Sequence, residues 1–152
     1  DWNDQLDMAP DKGETIPFTA FYGKNICDIA DLLEIQIEKE DRKTISVFEE
    51  MEILREGLKE NEPQKEVEVL KKYYEHIRFG ISGKKKKIPV LELKGMLRCK
   101  GKELLQQVRE NESIELSSIE GFFNGYYNNN GNAVDGILGD GKLRFGFTAP
   151  TI

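Results

Sequence analysis

Apolar positions along the chain follow two rhythms, a helical one through much of its length and a β-like one at the start and near the end. Thr15-Ile-Pro-Phe-Thr-Ala-Phe-Tyr22 is β-branched and aromatic and stops at Gly23, which predicts a strand, set at an edge by Pro17. Asn25 is placed to cap a helix in which Ile26, Ile29, Ala30 and Leu33 keep helical spacing. Leu33, Ile35 and Ile37 then alternate with Glu34, Gln36 and Glu38, so a change of state near Glu34 stays open. Ser46 and Glu49 form a capping box ahead of Val47, Met51, Leu54 and Leu58, predicting a helix that ends near Asn61. Pro63 suits the first turn of a second helix, with Val67, Leu70, Tyr74 and Ile77 on one face and Gly80 as its stop. The two predict an antiparallel helical hairpin.

A basic turn, Lys84 to Lys87, leads into a predicted strand, Ile88 to Lys94, and a short helix follows from Lys102 to Glu110. Ser117 and Glu120 make a second capping box, and Ile119, Phe122, Phe123, Tyr126 and Tyr127 fall at the spacing of an aromatic amphipathic helix. Gly121 and Gly125 on that helix would admit another backbone closely. After an asparagine-rich turn, Ala133 to Leu138 and Lys142 to Phe147 flank Gly139-Asp-Gly141, the pattern of a β-hairpin. The fold class predicted is α+β: several helices packed on a small, mainly antiparallel sheet with a C-terminal β-hairpin. Residues 1–14 read as a polar leader and 15–152 as a single domain.

Composition narrows the function. Hydrophobic content of 38% with 33% charged residues is that of a folded, soluble globular chain rather than a disordered one. A net charge of -6 argues against general nucleic-acid binding, which needs cations in excess along one face, but leaves a local site open at Lys84, Lys85, Lys86 and Lys87. No apolar run is long enough for a membrane span. The chain starts at Asp1 rather than Met, as a processed or excised protein would, and the compartment stays open with cytoplasm as the default. Cys27, Cys99 and the lone His76 cannot complete a Cys/His zinc site, and free thiols are the simpler reading of the cysteines.

Several groups are candidates for function. Most of the 14 aromatic residues must serve the core, but tyrosines keep a polar end, so Tyr126 and Tyr127 with Asn128, Asn130 and Asn132 form the expected binding rim for a protein partner. A calcium loop through those asparagines fails in register, since its glycine position falls on Ala133 and its closing carboxylate on Gly139; turn chemistry accounts for them. Val90-Leu-Glu-Leu-Lys94 resembles the second half of the PD-(D/E)xK nuclease signature. The resemblance implies Glu92 as a ligand of Mg²⁺ or Mn²⁺ and Lys94 as the group orienting the attacking water, although the upstream aspartate of that signature is missing. His76 lies near a helix C-terminus, where the dipole explains it, and neither Gly80-Ile-Ser-Gly-Lys84 nor Gly139-Asp-Gly141 has the spacing of a phosphate loop. With no catalytic set assembled, the sequence points to a non-catalytic protein-interaction or regulatory module needing no cofactor. A metal-dependent nuclease or nucleic-acid-processing domain is the alternative.

Overall fold

The computed structural model describes residues 11–59, 62–116, 119–134, 136–137 and 143–144. Among them the chain is α+β, with four helices and short antiparallel strand pairs. The order is β1 (Glu14–Thr15), α1 (Ile16–Glu40), β2 (Thr44–Phe48), α2 (Met51–Gly57), α3 (Pro63–Ile77), β3 (Lys85–Pro89) and α4 (Val90–Asn111). There follow β4 (Ser113–Leu116), β5 (Ile119–Phe123), β6 (Tyr126–Tyr127), β7 (Gly136–Ile137) and β8 (Leu143–Arg144). Two compact units share these elements: one comprises residues 1–25 and 101–152, the other Ile26–Lys100. No helix among the described residues is long and apolar enough to cross a membrane.

In the first unit, Glu14 pairs with Tyr127 and Thr15 with Tyr126, and the Ile16 amide donates to the Gly125 carbonyl. The expected strand Thr15–Tyr22 is therefore corrected to two extended residues followed by a helix. Pro17 stands in the first helical turn, where an amide hydrogen has no partner to lose. Ile16 and Ala20, one turn apart, both enter the core with Val108, against Leu105, Phe123 and Tyr127. Burial of that face outweighed β propensity. Gly23, read from the sequence as a strand stop, lies within α1, where a Cβ would come within 3.0 Å of the Gly101 carbonyl oxygen and 3.1 Å of Leu105 Cγ. The glycine lets the two helices approach there.

The aromatic helix expected from Ile119 to Tyr127 is corrected to the strands β5 and β6. β4 and β5 pair antiparallel, Ser113 opposite Phe123 and Ile114 opposite Phe122, with an irregularity in register between Ile114 and Leu116. Gly121 and Gly125 each weaken a helix by about 1 kcal/mol relative to Ala, and aromatic residues sit well on a pleated surface. The C-terminal hairpin is present as β7 against β8, with Gly136 opposite Arg144 and Ile137 opposite Leu143. Its Gly139-Asp-Gly141 tip, Phe145 and Phe147 lie outside the described residues, as do residues 1–10, Asn61 and Ser117.

In the second unit, β2 and β3 pair antiparallel from Thr44 opposite Pro89 to Phe48 opposite Lys85. Ser46 and Val47 are thus strand residues rather than the start of a helix: Ile45 and Val47 are half-buried while Thr44, Ser46 and Phe48 are exposed, a period of two. Lys85, Lys86 and Lys87 belong to β3, not to a turn. The expected strand Ile88–Lys94 ends at Pro89, and Val90, its amide donating to the Lys43 carbonyl, opens α4. α1 remains helical past Glu34 to Glu40. α3 begins at Pro63 as expected, but Val69, Tyr73 and Ile77 are its half-buried side, and Val67, Leu70 and Tyr74 face outward.

Candidate functional site

The first unit carries a groove of about 620 Å³ lined by Pro17, Phe18, Ala20, Phe21, Lys24, Leu105 and Arg109. The helical turn that sends Ile16 and Ala20 inward sets Phe18 and Phe21 outward, 39% and 60% exposed. The charged residues in its lining, Lys24 and Arg109, are both cations, although the chain as a whole is acidic. Assigning Thr15–Tyr22 to a strand hid this site from the sequence; the spacing of Ile16, Ala20 and Gly23 was the signal that pointed to a helix.

The polar rim expected at Tyr126, Tyr127 and the asparagines is divided by the fold. Tyr126 is buried. The Tyr127 hydroxyl donates to the Glu112 carboxylate, 2.9 Å from Oε2 and 3.1 Å from Oε1, and Asn124 Nδ2 donates to the same Oε2 at 3.1 Å. Burial and the adjacent carboxylate push the Tyr127 phenol upward. The asparagine run is a turn: Asn128 Oδ1 accepts from the amides of Asn130 at 2.9 Å and Asn132 at 3.1 Å, and Gly131 has φ of 74°. Asn129 Oδ1 accepts from the Lys12 amide at 3.0 Å, and a hollow of about 470 Å³ is lined by Lys12, Glu14, Tyr127, Asn129, Asn130 and Gly131. Asn130 and Asn132 are exposed.

Glu92 and Lys94 do not share a strand face. Both are on α4, where residues two apart point about 200° from each other. Glu92 accepts from Arg55 Nη1 at 2.7 Å, and Lys94 Nζ donates to Glu34 Oε1 at 2.9 Å. Arg98 Nη2 donates to Glu34 Oε2 at 2.9 Å and also to Asp31; the two cations hold the Glu34 carboxyl below the usual range. The geometry that the nuclease resemblance implied is therefore corrected. The described residues hold no group of three or more His, Cys, Asp or Glu arranged for a metal ion. Of the lysine run, Lys84 lies 3.9 Å from Glu49, Lys86 lies 3.9 Å from Glu52, and the Lys85 ammonium sits 5.5 Å from the centroid of the Phe48 ring. These pairings spread the basic charge along a strand. Cys27 and Cys99 are free thiols, and Cys99 is exposed.

The second unit has a further cavity of about 550 Å³ beside the end of α3, with Glu50, Ile53, His76, Phe79, Ile81 and Ser82 in its lining. Glu50 precedes α2 and is only 6% exposed; its Oε1 accepts from the Ser82 amide, and its Oε2 is buried without a hydrogen-bond partner. The bonds from Ser82 hold its carboxyl below the ordinary value. Phe79 and Ile81, 95% and 53% exposed, stand in the loop after α3, and Arg78 lies over the Phe79 ring at 5.3 Å. Apolar residues around the helix-stopping Gly80 were the sequence signal for this surface. No protein-family model and no curated protein matches the chain.

Proposed function

We propose that the chain is a non-catalytic protein-interaction module whose docking site is the groove of α1 and α4 in the first unit. Its occupant is a short partner segment that offers an apolar side chain next to a carboxylate. The observation that carries this reading is the pairing of outward Phe18 and Phe21 with a charged lining made only of cations. Aromatic side chains supply contact area at small entropic loss, and Arg is a frequent anchor at interfaces. A negative net charge on the chain makes the groove selective, since an acidic segment is repelled elsewhere and received at Arg109.

Fluorescence anisotropy with two labelled peptides tests the proposal, one carrying leucine–glutamate pairs and the other leucine–lysine pairs. The acidic peptide should bind and the basic one should not. Phe21→Ala and Arg109→Glu should each weaken binding about tenfold or more, a loss of about 1.4 kcal/mol. Equal binding of both peptides, or no effect of either substitution, removes the groove as the docking site.

A further inference from the structure

Glu50 is an ionised acceptor with part of its capacity unused. Its side chain lines the second unit's cavity, the Ser82 amide occupies Oε1, and Oε2 has no donor. A buried acceptor left without a partner destabilises a fold, and a carboxylate only accepts, so the missing partner is a hydrogen-bond donor, best a cationic one. Lys86 also lines the cavity, but its Nζ lies 3.9 Å from Glu52, and Lys84 Nζ lies 3.9 Å from Glu49, so the ammoniums nearest in sequence are paired with other carboxylates than Glu50.

We infer that this cavity takes the ammonium group of a lysine side chain from a partner peptide, its nitrogen donating to Glu50 Oε2 and its methylene stem lying against Ile53 and Ile81. An ammonium suits a single vacant oxygen, whereas a guanidinium is matched to two oxygens side by side. Long basic side chains lay their stems along apolar surface, which the two isoleucines provide. The Phe79 ring carries the Arg78 guanidinium over one face at 5.3 Å and is 95% exposed, which leaves its other face to the lysine stem. Oε2 is closed from solvent, and the ligand reaches it as the exposed His76 side chain swings aside. This site is independent of the groove in the first unit.

The test uses amide chemical-shift titration of the full 152-residue chain. The probes are a blocked leucine–lysine–leucine peptide and the same peptide with norleucine in place of lysine. The lysine peptide should shift the amides of Glu50 and Ser82 saturably and bind at least tenfold more tightly than the norleucine peptide. Glu50→Gln should abolish that preference. Phe79→Ala, at a residue with little to lose in folding, should weaken the lysine peptide several-fold and decides the matter if Glu50→Gln does not fold. Equal affinity for the two peptides, no saturable shift, or an unchanged lysine preference in Glu50→Gln overturns the inference, as does a Phe79→Ala variant that binds like wild type.

Discussion

The Tyr127 hydroxyl stands between the two carboxylate oxygens of Glu112, and this one contact ties the start of β4 to β6. A hydrogen bond to a charged acceptor contributes about 1.5–3 kcal/mol, so Tyr127→Phe should lower stability by about that amount in urea unfolding. Its pH dependence has a definite sign. The folded chain holds the phenolic proton more tightly than the unfolded one, so the stabilisation is complete below the ordinary value of 10.0 and is lost as pH rises through the raised one. Unfolding measured from pH 8 to 11, a window of about one to two units around that value, should show a steeper alkaline decline in wild type than in Tyr127→Phe. Identical slopes would mean that the phenol contributes nothing through its proton. The same contact explains why the tyrosine half of the expected rim is structural while Asn130 and Asn132 remain at the surface.

Helix packing at Gly23 separates two effects that a glycine substitution combines. Gly23→Ala places a methyl group 3.0 Å from the Gly101 carbonyl oxygen, a backbone atom that cannot step aside, and should destabilise the chain by about 1–3 kcal/mol. Gly95, within α4, has nothing within 4 Å of the same added atom, so Gly95→Ala should stabilise by about 0.5–1 kcal/mol through helix propensity alone. Thermal unfolding of the two variants should move in opposite directions; the same direction for both would refute the close approach. Elements whose local signals agreed were legible in the sequence: α3 behind Pro63, the helical stretch after Asn25, and the pairing of the last two strands. Misreadings arose where propensity and pairing disagreed. Thr15–Tyr22 has strand composition, yet burial of Ile16 and Ala20 one turn apart made it helical. Ser46 and Glu49 have capping-box spacing, yet the ladder to Lys85–Pro89 claimed Ser46 for a strand. Partners distant in sequence decided both outcomes, and a local pattern does not contain them. The candidate site suffered most, because Phe18, Phe21 and Glu50 owe their positions to such partners.

Across the whole molecule the two units differ in how the chain composes them. The unit of Ile26–Lys100 is one continuous stretch, whereas the other needs residues 1–25 and 101–152 brought together. Its pairing of Glu14 with Tyr127 closes a far longer loop than the pairing of Thr44 with Pro89. Longer loops take more entropy to close, and non-local pairings form late. Pulse-labelled hydrogen exchange during refolding should therefore protect amides of β2 and β3 before those of β1 and β6, and the reverse order would contradict this account. The crossing at Gly23 and Gly101 has one more consequence. α1 and α4 run without a break through the points where residues 26–100 leave and rejoin the first unit, so both ends of that stretch are held in helix. Cutting the chain at either point severs a helix, so shortening residues 26–100 reaches the first unit through the helices that both units share.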